Sequence, residues 1–398
     1  MHVWMMLKRK YTQEIFLEEI DVLAMKKLSL SDCNRFHHVD LLECLGIFMV
    51  LLYHTKSNVD YDVSSNTCLS TVLHYGFRAL LSSCVSLFFL CNGFLLFNHR
   101  FDLKRHILKL IRLILLSLIW SFICTIWGAY VLDIVPSNWS DILKTTLFLD
   151  SYANIHIWFL QTLAILYMVF PILKIVYDRS IAVFKYFFTL LAIIIVENQI
   201  LGILTSLILK VDFVGYNFFL QFNPFTIKNA YALFFFVCGG CLSFYHSRIL
   251  LFIKVNRYRF LFVCITMLVL STLSLVSYGL FITKNSNTLW DVVGMAYGSI
   301  FTIFNVLCFY IISLFFCKKG FTPALQIITL ISKNTFGIYL LQCFVTQLYN
   351  VMLSNYCILD SSLLTFFLYV SITFIILFIC LYLSISLKNT SLFFLFKL

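Results

Sequence analysis

Residues 35–54 read Arg35-Phe-His-His-Val-Asp40-Leu-Leu-Glu43-Cys-Leu-Gly-Ile-Phe-Met-Val-Leu-Leu-Tyr-His54. A basic start leads into two acids, a long apolar run and a closing histidine. Runs of this kind recur along the chain near 39–56, 80–97, 107–131, 155–175, 184–208, 229–246, 259–282, 289–316, 335–353 and 362–387. Each is close to the ~20 residues that a helix needs to cross a bilayer. The pattern predicts an all-α polytopic membrane bundle of about ten transmembrane helices.

Composition points the same way. Of 398 residues, 61% are hydrophobic and 12% charged, where a soluble domain needs roughly a quarter charged to keep a hydrated surface. With 44 Phe and a mean hydropathy of +0.94, the lipid bilayer is the expected partner. Residues 1–38 mix Lys8, Arg9, Lys10, Lys26 and Lys27 with Glu14, Glu18, Glu19 and Asp21, a stretch too acidic and broken for the apolar region of a signal peptide. They are expected to form a cytoplasmic N-terminal tail, with Met25 an alternative start that would make 1–24 an upstream extension. Residues 39–387 form one membrane domain and 388–398 a second cytoplasmic tail; no linker or fixed-period repeat divides them.

Basic residues stay on the cytoplasmic side during insertion. Of the 29 here, 23 fall in the N-terminal segment, the even-numbered connections and the C-terminus, among them Arg35, Arg100, Lys104, Arg105, Lys109 and Arg112. Lys56, Arg78, Lys144, Lys210, Lys228 and Lys284 lie elsewhere, while Asp133, Asp141, Asp150, Asp212 and Asp291 collect at the opposite ends of the segments. Both termini are therefore expected to be cytoplasmic, and the net charge of +11 is first an orientation signal. No basic stripe interleaved with exposed aromatics lies in a soluble segment, so no nucleic-acid partner is expected. The outer loops are too short for a separate catalytic domain, which places any chemistry within the bundle or at its rim.

Ionisable groups inside a membrane segment are expensive and point to function. Asp40, Glu43 and His54 share the first segment. At ~100° per residue, Glu43 and His54 project the same way, ~16 Å apart along the axis, with Asp40 about 40° to one side of His54. One polar face would run from the inner rim outward. In the alternative, Asp40 and Glu43 answer the helix dipole and His54 merely ends the helix. His156 opens a run with Trp158, Phe159, Leu160 and Gln161, where an interfacial aromatic belt explains Trp158 equally well. Arg105, Lys109 and Arg112 straddle the inner end of the third segment, either touching lipid headgroups or forming a phosphate site. Glu197 interrupts the fifth segment and is expected to face the bundle.

The 14 cysteines lie mostly in apolar runs, where they act as small hydrophobes. Cys238-Gly-Gly-Cys241 has redox or metal spacing but no second ligand pair nearby, so no metal site is expected. Cys68 and Cys357 fall in loops assigned to the same outer face, where a disulfide is geometrically conceivable.

Taken in order, five stretches resemble acyltransferase family 3, membrane proteins that include O-acetyltransferases of bacterial surface polysaccharides. They are Arg35 through Asp40 to His54, Ser86-Leu-Phe-Phe-Leu-Cys-Asn92-Gly-Phe94, the Lys104–Arg112 basic cluster, His156-Ile-Trp158-Phe-Leu160, and Phe336-Gly-Ile-Tyr-Leu340. The chain departs from the family's pattern at Glu43, where many members carry Arg or Lys, at Asn92 in place of Ser, and at Gln342, where His is frequent. The resemblance implies a transferase of acyl groups in the bacterial cell membrane. Acetyl-CoA, or another acyl-CoA, would serve as donor near Arg35, Arg105, Lys109 and Arg112, with no permanently bound cofactor. A hydroxyl of a surface glycan or lipid-linked sugar would be the acceptor, with His54 as general base assisted by Asp40 and Glu43. His156, Trp158, Asn92 and Glu197 would line the acceptor path or channel. A flippase-like transporter of lipid-linked sugar, or a glycan polymerase, is the reading without acyl transfer.

Overall fold

The computed structural model describes residues 35–55, 69–132, 138–149, 155–209, 230–286, 290–316, 323–353 and 363–390. The two tails, the Met25 start, and Cys68 and Cys357 lie outside them or nearly so. By internal contacts the chain divides into Met1–His37 and His38–Leu398, and the bundle belongs to the second. Its helices are α1 (His37–His54), α2 (Leu69–Leu81), α3 (Ser83–Asn98), α4 (Leu103–Tyr130), α5 (Trp139–Thr146), α6 (Trp158–Arg179), α7 (Ile181–Leu209), α8 (Ala230–Val255), α9 (Arg257–Ser286), α10 (Ile300–Phe316), α11 (Pro323–Leu353) and α12 (Leu363–Lys388).

Among the described residues, eight spans are long and apolar enough to cross a membrane, α2 running on into α3 as one of them. The chain is a polytopic helical membrane protein. Two expected segments are shorter helices, α1 with 18 residues and α10 with 17. The expected span 289–316 is corrected: residues 291–299 form turns and only Ile300–Phe316 is helical. A span expected from 335 instead starts at Pro323. The polar group Ser332, Lys333 and Asn334 does not interrupt that helix, because Asn334 Nδ2 bonds Leu330 O one turn back at 2.8 Å and Ser332 reaches across to α1.

Burial separates core from rim. In the span containing α3, 78% of the most apolar stretch is buried, against 11% for α7 and 22% for α9, whose apolar surfaces are left for lipid. Helix α3 lies against α8, and glycine lets the backbones meet. A Cβ at Gly93 would stand 1.9 Å from Phe236 O, and one at Gly239 would stand 2.2 Å from Leu90 O. This is the small-residue packing by which membrane helices associate without a hydrophobic drive between them. The Cys238-Gly-Gly-Cys241 spacing thus serves a helix crossing, and no metal-binding cluster occurs among the described residues.

Helix α1 is held on three sides. Gly46 faces Phe88 and the carbonyl of Cys84 on α3, Phe48 packs on Phe374 of α12 at 4.6 Å, and polar bonds join it to α11. Two basic side chains close helix defects. Pro171 lies inside α6 and offers no N–H to Tyr167 O; buried His106 of α4 fills the gap, its Nε2 donating to that carbonyl at 2.7 Å. Lys174, 5% exposed, donates to Phe97 O at the end of α3 at 2.7 Å and pairs with Asp178 at 2.9 Å.

Candidate active site

The last turn of α1 presents Tyr53 and His54 to a cavity of about 250 Å³. Opposite stands His156, carried by a single 3₁₀ turn (Ile155–Ile157) ahead of α6. The two imidazoles meet edge to face, centroids 4.5 Å apart at 84°. Helix α11 holds both backbones: Asn350 Nδ2 donates to His54 O at 3.3 Å, and the Tyr339 hydroxyl donates to His156 O. Buried Ile157 anchors the 3₁₀ turn in a core with Leu160, Tyr167 and Trp120.

The rest of the wall is apolar and aromatic: Val50, Val85, Phe88, Trp158, Phe159 and Tyr297, with Cys84 and Gly294 between them. Trp158 lies 6.1 Å from the Tyr297 ring. An imidazole at this place could accept a proton in its neutral form, as a general base must.

One wall is not helical. Residues 290–299 turn inside the bundle, with Val292, Val293 and Ala296 fully buried. Bonds from distant residues fix this turn. Tyr53 OH donates to Asp291 Oδ2 at 3.0 Å, Arg78 approaches Asp291 Oδ1 at 3.6 Å, and Val293 N donates to Asp291 Oδ1 at 3.2 Å. Tyr75 OH donates to Trp290 O at 3.1 Å and Ser86 Oγ to Tyr297 O at 2.9 Å.

The structure therefore gathers only some of the expected site residues. His54, His156 and Trp158 share the cavity. Asp40 and Glu43 belong to a separate cluster toward the start of α1. There Ser332 Oγ lies 2.8 Å from Asp40 Oδ1 and 2.6 Å from Glu43 Oε2, and Thr329 Oγ1 donates to Asp40 Oδ2 at 3.3 Å. The continuous polar face is broken by Gly46, Ile47 and Val50, all buried. Asn92 turns back on its own helix, Nδ2 donating to Phe88 O at 2.9 Å. Glu197 sits on the peripheral α7, its Oε2 buried without a hydrogen-bond partner. Arg35 is exposed, two residues before α1 begins. Arg105 is exposed beside Asp102, the N-cap of α4; Lys109 lies 5.3 Å over the Tyr167 ring, and Arg112 is half-buried a turn further on.

Sequence reasoning gave no individual site role to Tyr53, Arg78, Asp291, Tyr297 or Tyr339, although Tyr53 and Tyr339 lie within two of the quoted stretches. Arg78 did carry a signal, as one of six basic residues outside the cytoplasmic set. A second histidine pair was also missed: His38 stacks on His246 at 4.8 Å, and His246 Nδ1 lies 3.1 Å from Tyr310 OH.

A bundle of long apolar helices with two histidines side by side in an aromatic cavity defines the class: a polytopic membrane protein with a candidate site between its helices. Residues 36–385 match the family described as Acyltransferase domain, and the chain belongs to that family. It is a membrane acyltransferase by that membership, as the five ordered stretches anticipated. No curated protein and no solved structure matches the chain.

Proposed function

We propose that the protein is an O-acetyltransferase of the bacterial cell membrane, moving an acetyl group from acetyl-CoA to a hydroxyl of a surface glycan or its lipid-linked precursor. The observation that carries this reading is the His54–His156 pair side by side in the aromatic cavity. Acyl transfer to an alcohol breaks the thioester C–S bond, forms a C–O ester bond, and moves the hydroxyl proton to the departing thiolate. A neutral imidazole beside the reacting atoms can take that proton and pass it on. His54 is assigned this part, with His156 next to it and Trp158 offering a face for the acceptor. Arg105, Lys109 and Arg112 lie on one side of α4's first turns, where guanidinium and ammonium groups suit the donor's phosphates. Asp40 and Glu43 act at a distance from the cavity, tying α1 to α11 through Ser332.

The test replaces His54 with Ala, verifies membrane insertion, and measures acetyl groups on the surface glycan. Acetylation should fall by about 10²-fold or more, the range that a general base supplies. Unchanged acetylation removes His54 from the reaction.

A further inference from the structure

On that reading of the cavity, we infer that Asp291 and Arg78 are positioning residues: they hold the 290–299 turn and the Tyr53 hydroxyl in register with His54. The turn is the anomaly that calls for a function. It joins α9 to α10 without helical bonding, yet it places Gly294 and Tyr297 in the cavity wall while Val292 and Val293 are wholly buried.

Asp291 organises it. One carboxylate oxygen accepts from Tyr53 OH at 3.0 Å. The other accepts from Val293 N at 3.2 Å and faces the Arg78 guanidinium at 3.6 Å. The three side chains come from α1, from α2 and from the turn, so one carboxylate fixes three elements relative to each other. Tyr53 adjoins His54 in sequence, with ring centroids 5.0 Å apart. Whatever sets the Tyr53 hydroxyl therefore also sets the last turn of α1. Gly294 leaves no slack, since a Cβ there would lie 2.5 Å from Asp291 Oδ2. Arg78 is 8% exposed and reaches the carboxylate from within the protein, while the Asp291 side chain is 38% exposed, so the pair is only partly shielded from solvent.

Neither residue touches the reacting atoms, so their loss should lower the transfer rate and leave donor affinity in place. Isolated membranes carrying their own acceptor glycan are supplied with radiolabelled acetyl-CoA at varied concentration. Asp291→Asn should lower the maximal rate by about tenfold or more, the scale of an ångström-sized misplacement, with KM for acetyl-CoA unchanged within about twofold. Arg78→Gln should do the same, Arg78→Lys should restore much of the rate, and the double variant Arg78→Gln/Asp291→Asn should be no slower than the slower single one. Tyr53→Phe, which removes one hydroxyl and keeps the ion pair, serves if Asp291→Asn fails to insert, and should also lower the rate at constant KM. Wild-type rates in Asp291→Asn or Tyr53→Phe, or single losses that multiply in the double variant, overturn the positioning role alone. Absence of His54-dependent label from wild-type membranes overturns the donor reading and this inference with it.

Discussion

His106 shows how a single residue can answer a defect created 65 positions away by Pro171. A proline within a helix leaves the carbonyl four residues earlier without its donor. In a membrane no water replaces it, and His106 Nε2 does so at 2.7 Å. Because the partner is a carbonyl, Nε2 must carry the proton, which fixes the tautomer. His106→Phe keeps a ring over Tyr167, on which the imidazole stacks at 5.5 Å, but leaves the carbonyl bare. The expected cost is about 1–3 kcal/mol. In a Pro171→Ala background the backbone regains an N–H that can bond Tyr167 O itself, so the same change should cost under about 1 kcal/mol. Unfolding in mixed micelles for the four proteins gives the coupling; equal costs in both backgrounds would leave His106 as packing only.

At the scale of elements, the α3–α8 crossing and the 290–299 turn mark how far the sequence was legible. Long apolar runs announce spans because the bilayer imposes one length on all of them, and α4, α6, α8 and α12 stand where such runs lie. The turn hides inside a run: Val292, Val293, Met295 and Ala296 are as apolar as any helix, and what bends the chain comes from Tyr53, Tyr75 and Arg78, over 200 residues away. No local window carries that information. The cavity was legible in its two histidines, each ending or opening a run, and in the Phe336–Leu340 stretch that holds Tyr339, and illegible in Tyr297, which looks like an ordinary aromatic of a membrane helix. At Cys238–Cys241, where the sequence reading set no metal site, it is the glycines that have a packing role. Gly93→Ala and Gly239→Ala would each drive a methyl into the facing backbone, at 1.9 Å and 2.2 Å. Overpacking of this kind costs about 1–3 kcal/mol or more. Both variants should lose the sharp gel-filtration peak of a folded bundle, whereas Cys238→Ala and Cys241→Ala should keep both peak and activity. Lost activity in either cysteine variant, with the peak intact, would restore a chemical role to the pair.

For the whole molecule the decisive property is sidedness. Helix α1 rises ~27 Å over its 18 residues, with the Asp40–Glu43–Ser332 cluster toward its start and His54 at its end. Arg105, Lys109 and Arg112 occupy the beginning of α4, on the side that 23 of the 29 basic residues assign to the cytoplasm. On the proposed function, with donor phosphates held there and a base at the far end of α1, the acyl-bearing arm would reach into the bundle from the basic side and the acceptor would enter from the other. A charged nucleotide cannot cross the bilayer unaided. Sealed inside-out vesicles should therefore incorporate label from added acetyl-CoA. Sealed right-side-out vesicles should incorporate none until permeabilised, and should then match the inside-out rate. Equal labelling of both sealed preparations would mean that the donor enters from the outer face, and the basic end of α4 would return to a role in orientation and lipid contact.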